Sequence, residues 1–152
     1  MTKKKIKINN NSLIEQFGMK PYKLRVKEKY MSKRQLNHFK KILNSWKGQL
    51  EQEAEKTVNH MQKDSNNLAD PNDRATQESE FGLELRTRDR ERKLIRKIQS
   101  SLIKIDDGTF GYCEETGEQI GLQRLEARPV ASLTLEAQER REITERQFND
   151  NR

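Results

Sequence analysis

From Ser32 onward the apolar residues keep a helical beat. Leu36, Phe39, Leu43, Trp46 and Leu50 follow one another at alternating steps of three and four, the seam of a coiled coil, with Val58 and Met61 further along. Glu53 and Thr57, the next two positions the beat requires, are polar, so the seam is expected to loosen toward the far end of this arm. A second arm is predicted from about Pro71 to Ile105, with Phe81, Leu85, Ile95, Ile98, Leu102 and Ile105 on its inner face. Between the arms lies a tight acidic tip, Asp70-Pro71-Asn72-Asp73. Arms of about 35 residues would each extend on the order of 50 Å at 1.5 Å per residue, which describes a probe rather than a pocket.

Asp107-Gly108 and Gly111 stop the second arm. Residues 110 to 133 are loop-rich, with the short apolar pieces Phe110, Tyr112, Ile120, Leu122, Leu125 and Leu133. A final helix is expected to start near Ser132 or Thr134 and to run to about Phe148, with Leu135 and Ile143 turned inward. The predicted fold is therefore all-α. A long antiparallel coiled-coil hairpin spans 32–106 with its tip at 68–75, a small loop-rich base spans 107–133, and a C-terminal helix spans 134–152. Residues 1–31 form a basic, flexible lead-in whose Ile14, Phe17 and Met19 are able to dock.

Composition supports this layout. With 36% charged and 31% hydrophobic residues, and a mean hydropathy of −1.15, the chain cannot build one compact core from its whole length. No apolar run approaches the roughly 20 residues needed to cross a bilayer, and the Lys-rich start lacks the apolar core of a signal peptide, so a cytoplasmic location is expected. Cys113 is the single cysteine, which excludes an internal disulfide and a multi-thiolate metal site. The net charge of +7 is uneven: Met1 to Arg34 holds 11 Lys or Arg against 2 acids, and the remainder 20 against 22. A DNA-reading domain would carry its cations on a folded face, so specific DNA binding is not expected of this tail. Deleting residues 2–19 should then leave regulation largely intact.

The tip has a local reading and an outward one. Asp70 suits the N-cap, Pro71 the first helical position, and Asp73 the third, where an acid complements the helix dipole. Two carboxylates on a narrow projection are also suited to reaching basic groups or metal-bound water in another protein. The run Arg86, Arg88, Arg90, Arg92, Lys93, Arg96, Lys97 is interrupted by Asp89 and Glu91, which marks a solvated face rather than a phosphate-tracking stripe. Neither a nucleophile–base pair nor a phosphate loop is visible, so no enzyme is expected.

The segments DPNDRA, LELRTRDRERKLIRKI, FGYC and RLEARP, within roughly Lys33 to Gln147, resemble the DksA/TraR family. That resemblance implies a non-catalytic, monomeric regulator that binds RNA polymerase through its secondary channel and rim. It would alter promoter open-complex lifetime, repressing ribosomal RNA promoters and helping some biosynthetic ones. Asp70, Asp73 and Ala75 would form the tip near the polymerase active site, and Arg86 and Arg90 would contact the enzyme. Lys97, Arg128 and residue 138 would hold the alarmone ppGpp; Gln138 removes one of those cations and implies a weaker response.

The family's usual zinc pattern is Cys-x-x-Cys, roughly 15 to 20 residues, then Cys-x-x-Cys. Laid on this chain, its four positions are Cys113, Thr116, Thr134 and Ala137, and His38 and His60 lie on the first arm. Hydroxyl and methyl groups cannot replace thiolates around Zn²⁺, so no zinc and no other cofactor is expected. Hydrogen bonds from Thr116 and Thr134, with packing among Ile120, Leu122, Leu125, Leu133 and Ile143, would compensate. Two other functions fit parts of the pattern: a secondary-channel transcript-cleavage factor using the acidic tip, and a coiled-coil DNA or nucleoid protein using the basic tail.

Overall fold

The computed structural model describes residues 13–64 and 70–150. Five helices follow in order: α1 (Leu13–Gln16), α2 (Lys33–Asp64), α3 (Pro71–Asp107), α4 (Leu122–Ala127) and α5 (Leu135–Asp150). Among the described residues there is no strand, and one antiparallel bridge pairs Tyr112 with Gln119. The all-α reading holds, and α2 with α3 forms the long helical hairpin that the apolar beat predicts.

Local chemistry sets the ends of the long helices. Ahead of α2, Ser32 Oγ accepts the Gln35 N–H at 3.4 Å, while Gln35 Oε1 reaches back to accept the Met31 N–H at 2.8 Å, a reciprocal arrangement related to the capping box. Asp70 caps α3 from an extended backbone (φ −83°, ψ 128°), and Pro71 takes the first turn, where its missing N–H costs nothing. Gly108 ends α3 in the left-handed region, with φ 77°, and its N–H turns back to the Ile105 carbonyl.

The chain divides into two compact units, Leu43–Phe110 and the combination of Met1–Ile42 with Gly111–Arg152. In the first, Leu43, Leu50, Ile98, Ile105 and Phe110 are buried. Burial thins along both arms: Val58, Met61 and Phe81 are half-buried, and Leu85, expected on the inner face, is 50% exposed. The polar Glu53 and Thr57 interrupt the apolar stripe of α2, so fewer apolar partners are available there.

In the second unit Ile14, Phe39, Ile42, Ile120, Leu125, Leu133 and Ala137 are buried. α1 and α4, where loop was expected, pack against each other. α5 departs from expectation as well. Leu135 and Ile143 are 56% and 53% exposed, and the buried residue is Ala137 in the first turn. From 139 to 150 every residue is exposed, because the sequence there supplies no continuous apolar stripe to hold the helix against a core.

Gly111 joins the start of the loop-rich region to the lead-in. Its carbonyl accepts both the Tyr30 hydroxyl at 2.7 Å and the Ile120 N–H at 2.9 Å, at a φ of 89°. A Cβ there would lie 2.8 Å from Met31 Sδ. Gly111→Ala is expected to cost about 1–3 kcal/mol through backbone strain, and more than Gly108→Ala, whose added Cβ meets nothing within 4 Å. Denaturant unfolding of both variants decides this, and equal losses would show that the Met31 contact adds nothing.

Candidate functional site

The start of α3 gathers the predicted tip residues. Asp70 Oδ1 accepts the Asn72 N–H at 3.1 Å, which satisfies one of the free donors at the helix start. Asp73 stands in the first turn, and Asp70, Asp73 and Ala75 are all exposed. Positions 68 and 69 of the predicted tip lie outside the described residues. Each acid thus meets its local helical role and still presents a carboxylate to solvent, so neither reading of the tip excludes the other.

Arg86, Arg90 and Lys97 are exposed on α3, at separations of four and seven that keep them on one stripe. Arg86 Nε donates to the Gly82 carbonyl at 3.2 Å. Arg128, exposed, caps the C-terminus of α4, and Gln138 on α5 donates to Glu142 Oε1 at 2.8 Å. Lys97 and Arg128 belong to different units.

Around Cys113 the chain folds into a closed knuckle. The Cys113 N–H donates to the Glu118 carbonyl at 2.8 Å, and the Gly117 N–H returns to the Cys113 carbonyl at 2.9 Å. The Glu114 N–H donates to the Ser132 carbonyl at 2.9 Å, tying the two halves of the region together. Thr134 Oγ1 lies 3.9 Å from Cys113 Sγ and accepts the Ala137 N–H at 3.3 Å. The fold thus brings Cys113, Thr116, Thr134 and Ala137 together, as their spacing implies, although sulfur stands at one position alone.

Burial raises the affinity of the Cys113 thiol for its proton. Hydrogen bonds from the Thr116 hydroxyl and from the backbone N–H groups of Thr134, Thr116 and Glu115 outweigh that effect, bringing the pKa from 9.0 down to about 7. Thiolate absorbance should therefore titrate near pH 7 in the folded protein and near the ordinary thiol value of about 8.5 in urea. With the folded value below the unfolded one, this group's contribution to stability is fully present above the unfolded value. It is lost as pH falls through about 7. A folded midpoint at the ordinary thiol value would show that burial wins.

Sequence reasoning passed over several anchoring residues in the lead-in. The Tyr30 hydroxyl donates to the Gly111 carbonyl and accepts the Gly121 N–H at 3.0 Å, joining residues far apart in the chain. Tyr22 donates through its hydroxyl to Glu28 and through its N–H to Glu126. The one available signal was the presence of aromatics within a Lys-rich segment.

Comparison with known proteins connects these features. Residues 35–105 match the family model described as DnaK suppressor protein DksA, N-terminal domain, and residues 108–142 match the prokaryotic dksA/traR C4-type zinc finger. The RNA polymerase-binding transcription factor DksA of Haemophilus influenzae is 53% identical over 136 residues, covering 90% of this chain and 94% of that protein. Its Escherichia coli counterpart is 50% identical over 142 residues, covering 93% and 94%. The solved structure of transcription factor DksA2 from Pseudomonas aeruginosa superposes with a TM-score of 0.72 at 36% identity, covering 77% of this chain and 90% of that one.

The zinc-finger match corrects the sequence-based expectation of no cofactor. Residues 108–142 belong to a zinc-finger region, and the match points to zinc binding there. The side chains at the four converging positions end in one thiol, two hydroxyls and a methyl, a set that does not fit a four-sulfur site. Among the described residues no group of three or more His, Cys, Asp or Glu could hold a metal.

Proposed function

This chain belongs to the DksA/TraR family, and from that premise we propose that it is a transcription regulator that binds RNA polymerase through the secondary channel, tip first. The observation that carries the reading is the start of α3, where Asp70 and Asp73 stand exposed at the end of a 37-residue helix. A helix of that length extends about 55 Å, long enough to carry a carboxylate pair well inside another protein. Arg86 and Arg90, exposed further along α3, would meet acidic groups at the channel wall, where charge chiefly governs the rate and register of association.

Binding alone would not regulate. The tip carboxylates act where water is scarce and a charge is poorly screened, so their field on nearby basic groups or metal-bound water exceeds anything possible at the surface. That field shifts the stability of promoter open complexes, repressing ribosomal RNA promoters and favouring some biosynthetic ones. The role is non-catalytic, in keeping with relatives named as transcription factors rather than enzymes. The chain acts in the cytoplasm as a monomer, without sequence-specific DNA binding, and among the described residues no helix is long and apolar enough to cross a membrane. A ppGpp response would draw on the cations that the family resemblance assigns to it, Lys97 and Arg128, each in its own unit; Gln138, neutral and bonded to Glu142, makes that response weaker than three cations would.

In vitro transcription from a ribosomal and a biosynthetic promoter, with and without ppGpp, tests the reading. Repression of the first and stimulation of the second are expected, with modest enhancement by the alarmone. Shortened RNA in stalled complexes would instead identify a transcript-cleavage factor, and unchanged transcription at saturating protein would refute the regulatory reading.

A further inference from the structure

Ahead of α2, residues 20–23 and the first turns of the helix border an open groove of about 660 Å³. Lys20 and Lys23 line it from the segment before the helix. Arg34, His38 and Lys41 line it from α2, where steps of four and three place them on one face. Four permanent cations therefore converge on one concavity.

The neighbouring acids do not neutralise it. Glu28 lies 3.8 Å from Arg34, and the hydrogen bonds it accepts, first from the Tyr22 hydroxyl and then from Ser32 and the Arg25 N–H, hold its carboxyl down at about 2. Glu126 accepts the Tyr22 N–H and lies 3.6 Å from His38 Nε2. Both carboxylates are thus engaged at Tyr22, Arg34 and His38. Among the described residues, Lys20, Lys23 and Lys41 form no ion pair.

Surface lysines spread over a helix face are ordinarily just solvated. Here they border a concavity that also contains the buried His38 Nε2, which stands 3.6 Å from Glu126 Oε1 and makes no hydrogen bond. Burial is the main effect on His38 and lowers its pKa, so near neutral pH the ring is uncharged and can offer one N–H. The Asn37 side chain adds a neutral donor at the rim.

The aromatic ring in the groove narrows the ligand class. Tyr22 is covered by the Arg34 guanidinium, 5.0 Å from its centroid, and by His38, whose ring centroid lies 5.3 Å away. Those contacts compete with a nucleobase for the ring, so the groove offers cations and hydrogen-bond donors more readily than a stacking platform. Ammonium groups around a shared centre match several closely spaced oxyanions. We propose that this groove binds the phosphate chain of a small polyphosphate, with Lys20, Lys23, Arg34 and Lys41 holding the oxyanions and His38 donating from the floor.

Calorimetric titration of inorganic tripolyphosphate into the full chain tests this, with ATP and a single-stranded oligonucleotide as parallel arms. Saturable one-to-one binding of tripolyphosphate is expected, and the Lys23→Gln/Lys41→Gln variant should weaken it by roughly tenfold or more, with an unchanged melting curve. Equal affinity for ATP and tripolyphosphate would identify the phosphate chain as sufficient, whereas tighter ATP binding would make a nucleotide its source; both support the site. The proposal is overturned if tripolyphosphate fails to saturate, if the double variant binds as well as the parent, or if the oligonucleotide alone binds.

Discussion

Replacing Asp73 by asparagine is expected to remove regulation of ribosomal promoters while leaving affinity for RNA polymerase nearly unchanged. Asparagine keeps the size of the side chain and some hydrogen bonding at the start of α3, and Asp73 is exposed in the first turn. Losing its charge therefore costs the helix only about 0.3–1 kcal/mol of dipole interaction. Cap formation survives, because it depends on Asp70 accepting the Asn72 N–H. Inside a channel the same charge has a larger effect on the promoter complex than on docking: a desolvated charge interaction made in one promoter state and absent from the resting complex shifts the balance between those states by about 2–5 kcal/mol, more than tenfold, and leaves docking affinity alone. Most of the contact area would come from other parts of the chain, so competition binding should hardly register the change. Promoter assays should register it fully. A variant that binds normally and represses like the parent would reduce Asp73 to a helix-start residue.

The hairpin was legible because a coiled-coil seam repeats, and repetition survives imperfect positions. Leu43 and Leu50 alone would not identify an arm, yet with Leu36, Phe39 and Trp46 their spacing does. The tip was legible for another reason: Asp-Pro-Asn-Asp combines a cap, a fixed φ and a dipole partner in four consecutive residues. The second unit was harder to read, since its core is assembled from residues far apart in the chain. Ile14 and Ile120 carry no periodic signal, and Tyr30 reaches Gly111 and Gly121 across 81 and 91 positions of sequence. Ile143 was placed inward because it is apolar, but one isoleucine among the charges of α5 has no neighbours to form a stripe with. The zinc-finger region shows the limit of reading ligands one by one: three of the four positions carry no sulfur, while residues 108–142 match the zinc-finger region as a whole and the backbone hydrogen bonds of the knuckle show only in the three-dimensional fold.

Ile14 supplies the second large expected effect. It is 1% exposed, and α1, the short helix that carries it, packs against α4 in the same unit. Ile14→Ala should cost about 2–5 kcal/mol, the transfer energy of the lost methyl groups plus the cavity they leave. That is a large fraction of the roughly 5–15 kcal/mol by which a typical domain is stable. This burial also revises the expectation that removing residues 2–19 would be harmless, because that deletion removes Ile14 together with the rest of α1. Truncation at residue 12 leaves the packed isoleucine in place and should preserve both the melting temperature and polymerase regulation, while reducing any salt-sensitive adhesion to nucleic acid. Urea unfolding of the two truncations and of Ile14→Ala separates the contributions: the longer deletion and the point variant should fall together, with the shorter deletion close to the parent. If Ile14→Ala unfolds at the parent's urea midpoint, α1 contributes nothing to the core and the longer truncation should be harmless after all.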